Sequence, residues 1–294
     1  MKSNPFAVAI DPREYYHTDN TKRIIAQIIH CLKNRNGFAL LIGDVGVGKT
    51  SLLMQILPIL QKEGITTSFI LNSLLKKKEI LAAICRDFGL QIPHNENVFN
   101  LLDLLHTFFL KENSRGRNCV IIVDEAHNLD VNVLETLRML TNLETEGKKL
   151  VQIFLTGQSE LWVRLKQPKL RQLRSRINVF EQLLPLDKIE LQGYVLFKLA
   201  STGSQIRPEK RALRLLWIAT QGNIRMVNLI MERALYALIL RKKQNIDYQI
   251  TKEALEDLYQ CQGELKKRVL IHNLKKYIVA FAVILLIFTG VLLA

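Results

Sequence analysis

A glycine-rich loop between two apolar stretches carries the clearest chemical signal of this sequence. Residues 43–50 fit the pattern G-x-x-x-x-G-K-[ST]. The apolar run 38–42 before the loop predicts a buried strand, and residues 51–57 after it predict a helix. In that context the loop N–H groups and the positive end of the helix point at phosphate oxygens. The residues expected to cradle the phosphates of a nucleotide are Gly43, Asp44, Val45, Gly46, Val47, Gly48, Lys49, Thr50 and Ser51.

Two side chains of this loop are expected to take part in phosphate chemistry. Lys49 should reach the β- and γ-phosphates of ATP, and Thr50 should place its hydroxyl on Mg²⁺. A chance glycine turn before a helix is the alternative interpretation, but it does not account for the acidic strand downstream. The sequence therefore predicts ATP and Mg²⁺ as ligands.

Adjacent carboxylates follow a second apolar run about seventy residues later. Residues 119–123 predict a buried strand, and Asp124 and Glu125 come directly after it. Unpaired charge at the end of a buried strand is costly, so a cation is expected nearby. We expect Asp124 to hold Mg²⁺, directly or through water, and Glu125 to orient or deprotonate the attacking water. His127 is interpreted as a structural neighbour rather than a catalytic group.

Polar residues also follow a third predicted strand, 150–156. Ligands bind outside the carboxyl ends of strands in parallel α/β sheets, so Thr156 or Gln158 could sense the γ-phosphate. The sequence does not choose between them. The next segment, 164–176, contains no acid and six bases, which are Arg164, Lys166, Lys169, Arg171, Arg174 and Arg176.

The order of strands and helices predicts the α/β class, with a parallel sheet sandwiched by helices. Strands are expected at 38–42, 66–72, 119–123, 150–156 and 180–186. Helices are expected at 19–34, 51–57, 76–88, 98–111 and 129–143. Four regions follow: an α/β nucleotide-binding domain (1–186), a small all-α lid of three or four helices (187–263), a basic segment (264–276) and a transmembrane helix (277–294).

The C-terminal prediction depends on charge. Residues 277–294 contain no charged side chain. This uncharged segment is just long enough to span a membrane. Five bases lie between 266 and 276, and by the positive-inside rule they stay in the cytoplasm. A buried C-terminal helix is the alternative, but a core helix should show a polar stripe. We therefore expect a single-pass protein of the bacterial inner membrane with a cytoplasmic ATPase domain.

Composition limits the remaining classes. The four cysteines show no paired spacing, which argues against a zinc site or a disulfide framework and suits a reducing cytoplasm. The N-terminal region has no long apolar run, so we do not expect a signal peptide. The formal net charge of +14 favours an anionic partner, which could be nucleic acid, anionic lipid or the nucleotide alone.

These motifs, taken in order, resemble those of the AAA+ ATPases, and more narrowly those of the ExeA family, the general secretion pathway protein A type. Transposition regulators of the TniB and TnsC type share much of the pattern. The family usually has proline where Ser159 and Asn223 stand. The resemblance covers roughly residues 4–260, and the matching segments are 4–6, 43–50, 123–127, 156–161, 170–177, 184–186 and 222–225.

The resemblance implies further site residues and partners. Arg176 falls where the family has an arginine before the closing strand, which makes it the first choice for an arginine finger acting on a neighbouring subunit. Arg174 is the second choice. Arg225 falls at the sensor-2 position of the lid and would act within its own subunit. A homo-oligomer, in the form of a ring or partial ring, is implied, together with membrane lipid and a secretion or envelope protein as partners.

Three functions are in competition. The leading hypothesis is a membrane-anchored, oligomeric ATPase that drives assembly of a secretion or cell-envelope complex. The second is a DNA-binding transposition regulator, which the net charge and the basic segment favour and a terminal membrane helix does not. The third is a scaffold that binds nucleotide without hydrolysing it, and the presence of Glu125 argues against it.

Overall fold

The computed structural model describes residues 4–7, 14–71, 74–94, 97–145 and 147–262. The described residues form two compact units, one within residues 10–184 and one that joins residues 4–7 with residues 185–262. The predicted basic segment 264–276 and membrane helix 277–294 lie outside the described residues. Within the described ranges, none of the helices has both the length and the apolar character needed to cross a bilayer.

The unit of residues 10–184 alternates strands and helices. Short 3-10 turns occur at Ala126–Asn128 and Pro168–Leu170. The helices and strands are, in chain order, α1 (Asp19–Lys33), β1 (Phe38–Gly43), α2 (Lys49–Lys62), β2 (Thr66–Ile70), α3 (Lys77–Asp87), α4 (Val98–Ser114), β3 (Cys119–Val123), α5 (Val131–Leu140), β4 (Glu144–Thr145), β5 (Lys148–Lys149), β6 (Val151–Gly157), α6 (Ser159–Leu165), α7 (Arg171–Arg174) and β7 (Ile177–Leu183).

Five of these strands form one sheet in the order β2-β3-β6-β1-β7. Every neighbouring pair in it is parallel, so the predicted α/β class with a parallel sheet is confirmed. The register pairs Ile42 of β1 with Gly157 of β6, and Val123 of β3 with Leu155 of β6. The segments that leave β1, β3 and β6 therefore meet at one edge of the sheet, which we call the carboxyl edge.

The three central strands are buried along their whole length because helices cover both faces of the sheet. Alternate residues belong to two separate cores. Leu40 packs in a core with residues of α3 to α7, whereas its neighbour Leu41 packs in a core with residues of α1 and α2. This alternation explains why the strands appear in the sequence as continuous apolar runs rather than as an apolar-polar pattern.

The predicted limits of the fifth helix and of the closing strand were wrong, and one short strand pair was not predicted. The helix expected at 129–143 is α5, which is shorter at both ends because Asp130 caps it and the chain turns at Thr141. The closing strand expected at 180–186 is β7, three residues earlier, and its last residue Leu183 pairs with Gly43. The short antiparallel pair β4-β5, which turns at Gly147, was not predicted.

The second unit is helical. In its described part it has four helices, which are α8 (Lys188–Ser201), α9 (Lys210–Thr220), α10 (Ile224–Leu240) and α11 (Tyr248–Gln262). Asp187 begins α8 with a capping box, in which its side chain accepts two backbone N–H bonds and Glu190 bonds back to it. The first residues of the chain group with this unit, and Asn4 donates to Glu232 at 2.6 Å.

Candidate functional site: a phosphate loop at the carboxyl edge

The phosphate loop runs from the end of β1 to the start of α2. Gly46 and Gly48 have φ of 81° and 99°, a left-handed conformation that only glycine adopts without strain. Gly43 is needed for a different reason, because a Cβ there would lie 2.6 Å from the carbonyl oxygen of Leu183 on β7. Val47 is buried and packs in the core with α1 and α2, which fixes the loop to the sheet.

Lys49 begins α2 and is 5% exposed. Its Nζ donates to the carbonyl oxygens of Gly43 at 2.9 Å and Asp44 at 3.0 Å. Burial lowers the pKa of Lys49, and the negative charges of Glu125 and Asp124 oppose that shift. The ammonium group is therefore held at the loop by neutral carbonyls, and phosphate oxygens would be stronger partners for it.

Thr50 and Asp124 bring two oxygen ligands together from different elements. The Thr50 hydroxyl donates to Asp124 Oδ2 at 2.8 Å. Asp124 is 2% exposed, and its Oδ1 accepts from the backbone N–H of Glu125 at 2.8 Å and from the Thr156 hydroxyl. A hydroxyl and a carboxylate are the hard oxygen donors that Mg²⁺ prefers, and Mg²⁺ completes its shell with water and phosphate. The residues present fit that ion.

Glu125 is turned towards the loop side of this edge by an unusual backbone. Its φ of 52° and ψ of 35° are left-handed, a conformation that is uncommon for residues other than glycine and is concentrated at functional sites. Its side chain is 40% exposed, and Oε2 lies 3.2 Å from Nδ1 of His127. The carboxylate is thus open to water on one side and contacts an imidazole on the other.

Residues at the end of β6 and directly after it contact three different parts of the site. Thr156 is fully buried and its hydroxyl is used by Asp124. The Gln158 side-chain nitrogen lies 3.0 Å from Nε2 of His127. Ser159 donates to Asp44 Oδ1 of the phosphate loop at 3.1 Å. The proline usual in the resembling family at position 159 could not make this last bond.

The sequence analysis missed two of these contacts. Ser159 was treated only as a departure from the family pattern, and nothing in the local sequence shows that it faces Asp44, 115 residues away. His127 was interpreted as structural, although it follows Glu125 by two residues and contacts it. An aromatic base two residues after an Asp-Glu pair was the available signal.

The two arginines proposed as fingers lie elsewhere. Arg176 immediately precedes β7, whose first residue pairs with Phe38 and whose last pairs with Gly43. A strand of seven residues spans roughly 20 Å, so Arg176 lies at the edge opposite the phosphate loop, which we call the amino edge. It donates to the Thr141 hydroxyl at 3.2 Å, and Arg174 donates to the Lys166 carbonyl at 3.2 Å.

Arg225 lies in the helical unit, exposed on the first turn of α10. Asn223 caps that helix by accepting from the backbone N–H of Met226 at 3.2 Å. The asparagine that stands in place of the family's usual proline thus begins the helix with a side-chain hydrogen bond. Gly222 before it has φ of 78°, and a Cβ would lie 1.8 Å from the Leu186 carbonyl oxygen. The structure therefore gives a physical reason for the glycine and for the helix start that carries Arg225.

Comparisons with known proteins match the domain that carries this site and most of the chain. The sequence profile of the AAA domain matches residues 32–165. General secretion pathway protein A of Aeromonas hydrophila is 38% identical over 248 residues, which are 84% of this chain and 45% of that protein. The chain thus spans less than half the length of this relative.

Solved structures share the fold at low sequence identity. The Aeropyrum pernix ORC2 protein, in its ADPNP-ADP complexes, superposes with a TM-score of 0.65 at 17% identity over 86% of this chain and 71% of that one. The Pyrobaculum aerophilum CDC6P gives 0.66 at 16% identity over 86% and 70%. The Thermotoga maritima RuvB branch migration motor gives 0.58 at 21% identity over 86% and 73%.

The AAA domain match makes this chain an ATP hydrolase of the AAA class. The narrower resemblance expected from the sequence is confirmed as well. The chain contains the AAA domain and is similar over most of its length to general secretion pathway protein A.

Proposed function

We propose that this chain hydrolyses ATP between the subunits of a homo-oligomer, is anchored in the bacterial inner membrane, and drives assembly of a secretion or cell-envelope complex. The hydrolytic step uses the carboxyl edge described above. The oligomer, the anchor and the complex extend beyond it, and each is supported by a separate observation.

At the carboxyl edge, each residue has a distinct role in our proposal. Lys49 and the loop N–H groups bind the β- and γ-phosphates. Glu125 takes a proton from water while the water oxygen attacks the γ-phosphorus, and ADP leaves with the bridging oxygen. Thr50 and Asp124 would hold Mg²⁺, which when bound supplies positive charge to the phosphate oxygens. Thr156 and Gln158 are both candidates for the γ-phosphate sensor, since the Thr156 hydroxyl bonds Asp124 and the Gln158 amide contacts His127.

The position of Arg176 carries the proposal of an oligomer. Arg176 lies a full strand length from its own phosphate loop, so its charge cannot serve the γ-phosphate of its own subunit. An arginine supplied by a neighbouring subunit stabilises the transition state of phosphoryl transfer. We propose Arg176 for that role, with Arg174 as second choice, and Arg225 as the sensor-2 arginine within its own subunit.

Two observations support the anchor and the client. Residues 277–294 are uncharged and five bases precede them, which fits a span with a cytoplasmic basic flank. The relative that covers most of this chain is a general secretion pathway protein. The partners we propose are therefore inner-membrane lipid and a protein of a secretion or envelope complex.

Deletion of residues 277–294 tests the anchor. We expect the full chain in the membrane fraction after an alkaline wash, and the shortened chain in the supernatant with its ATP affinity unchanged. A shortened chain that stays in the membrane, or a full chain that washes off, would contradict the anchor. Loss of ATP binding on deletion would show that this segment stabilises the ATPase instead.

DNA binding remains the second candidate because of the +14 net charge. The basic segment 164–176 supports it less than its composition suggests, since several of its bases have partners within the chain. Arg164 donates to the Leu129 carbonyl at 2.6 Å, and Lys166 lies 5.5 Å above the Trp162 ring. Duplex DNA titrated at increasing salt separates the candidates. A steep salt dependence, with stimulation of ATP hydrolysis, would favour DNA.

A further inference from the structure

We propose that His127 is a positioning residue for ATP hydrolysis: it aims the Glu125 carboxylate and is itself held by Gln158 at the end of β6. The inference rests on the proposed role of Glu125 as the base. It adds a residue whose function would be exerted through Glu125, which its Nδ1 contacts.

The backbone brings the imidazole back to the carboxylate. After β3 the chain turns at Glu125 into the 3-10 turn Ala126–Asn128. That turn brings the His127 ring back to the side chain of Glu125, two residues earlier. The distance from His127 Nδ1 to Glu125 Oε2 is 3.2 Å. The His127 side chain is 15% exposed, against 40% for Glu125. The ring is therefore a nearly buried support for a carboxylate that has freedom to move in water.

The second nitrogen of the ring has its own partner. Nε2 lies 3.0 Å from the side-chain nitrogen of Gln158. An amide nitrogen can only donate, so Nε2 accepts from the Gln158 side chain, and the neutral tautomer then carries its proton on Nδ1. That proton faces Glu125 at the shorter distance and competes with the backbone N–H of Gln158, which lies 3.4 Å from Nδ1. In this tautomer Nδ1–H donates to Glu125 and the Gln158 amide fixes the ring from the other side. A ring held at both nitrogens has few orientations left.

The end of β6 is built to approach this turn closely. A Cβ at Gly157 would lie 3.3 Å from the backbone nitrogen of His127 and 2.8 Å from Cδ2 of Leu161. Any side chain at 157 would push the strand end and the turn apart. The glycine thus keeps Gln158 within reach of the imidazole. Close packing between the strand end and the turn explains why glycine stands between Thr156 and Gln158.

The chemical consequence concerns orientation rather than charge. A general base must lie within hydrogen-bond reach of the water it deprotonates, and misplacement by about 1 Å can reduce a rate about 10²-fold. Without the imidazole, Glu125 keeps its carboxylate but loses the contact that selects its rotamer. Nucleotide binding, which depends on Lys49 and the loop backbone, does not involve this contact.

The test is a steady-state measurement on the full-length protein with His127 variants. We expect His127→Ala to lower kcat about 10²-fold with KM for ATP and analogue affinity nearly unchanged. The amide nitrogen of asparagine is about as far from Cα as Nδ1, so His127→Asn should recover most of the lost kcat. The amide of glutamine matches Nε2 instead, and His127→Gln should not. The control is His94→Ala, because His94 is exposed on a loop.

Two further measurements make the result decisive. Single-turnover rates of His127→Ala, Glu125→Gln and the double variant should be non-additive, since His127 acts through Glu125. Full additivity, an unchanged kcat in His127→Ala, or equal rates for the Asn and Gln variants would overturn the inference. Thermal midpoints check that the variants are folded. If Glu125→Gln itself retains turnover, the base assignment fails first, and that outcome is distinct from failure of His127 alone.

Discussion

The two edges of the parallel sheet both bury polar groups, but the balance of positive and negative charge differs between them. At the amino edge, Glu112 is 3% exposed and accepts from Thr66 and Arg115 at 3.0 Å, with Arg117 at 3.5 Å. At the carboxyl edge, Lys49 faces four carboxylates, those of Glu125, Asp124, Asp44 and Glu160. One cluster is a carboxylate surrounded by donors, and the other has an excess of negative charge.

The contrast indicates what each edge is for. Further buried amides at the amino edge bond one another, since Gln152 donates to Asn118 and Asn118 donates to the Leu32 carbonyl, each at 2.7 Å. A network of that kind stabilises the fold. Excess carboxylate around a phosphate loop is stable only when cations reach it, which is the condition that a metal-bound nucleotide meets.

The largest expected effect comes from removing the cation of the carboxyl edge. Lys49→Ala should lower ATP affinity about 10²-fold or more, because charged hydrogen bonds contribute about 1.5–3 kcal/mol each and Lys49 would make several to phosphate. Turnover should be lost as well. Equilibrium binding of a fluorescent ATP analogue measures this, with Lys62→Ala as control, since Lys62 is exposed at the end of the same helix. Unchanged affinity would show that the loop is not the nucleotide site.

The next effect isolates chemistry from binding at the same edge. Glu125→Gln keeps size and hydrogen bonding but cannot accept a proton, so turnover should fall about 10² to 10⁴-fold. ATP affinity should stay within a few-fold. Phosphate release under saturating ATP is the measurement. Parental turnover in this variant would remove Glu125 from the role of base.

The smallest effect belongs to the amino edge. Burial alone raises the pKa of Glu112, but hydrogen bonds from Thr66 and Arg115 and the charge of Arg117 outweigh it, so the pKa is lowered. The group therefore stabilises the fold above the ordinary glutamate pKa of about 4.3, and that stabilisation is lost as the pH falls below it. Glu112→Gln should cost about 1–3 kcal/mol at neutral pH, with kcat unchanged at low temperature.

Urea unfolding of the parent and of Glu112→Gln at pH 7 and at lower pH measures this difference. The stability gap should narrow as the pH falls, because protonation removes the charge that the variant lacks already. Glu63→Gln is the matched control, since Glu63 pairs with Lys33 with both side chains substantially exposed, and exposed pairs contribute about 0–1 kcal/mol. A gap that does not change with pH would contradict the paired-charge account of Glu112.

Local pattern was enough to predict the strands and the phosphate loop. The three central strands β1, β3 and β6 are short, mostly apolar runs, and such runs are visible without knowledge of their neighbours. The strand limit that was predicted wrongly depends on how the strand pairs with its neighbour in the sheet. Leu184 and Pro185 are outside β7 because the register with β1 ends at Leu183 opposite Gly43, and proline has no N–H to continue the ladder.

In the site, too, the residue types could be predicted from local sequence, whereas the contacts between distant residues could not. The type and spacing of Lys49, Thr50, Asp124 and Glu125 indicated a nucleotide site, because each follows a strand in a known pattern. The contacts that connect these residues were not predictable, since they join distant positions. Ser159 bonding Asp44 and Thr156 bonding Asp124 follow from β6 lying between β1 and β3 in the sheet. Strand order cannot be derived from apolar runs alone.

We propose that the two edges cooperate only between subunits, so that the carboxyl edge of one subunit and Arg176 from the amino edge of another form one active site. Arg176→Ala should bind ATP normally and lose hydrolysis, by about 10³ to 10⁵-fold where such arginines act. Mixing Arg176→Ala with Glu125→Gln protein tests the claim most directly. Each variant alone should be inactive. In a mixed oligomer, a subunit with intact Glu125 can receive Arg176 from a Glu125→Gln neighbour, and hydrolysis should partly recover. No recovery, with mixed oligomers shown to form, would contradict an Arg176 that acts between subunits.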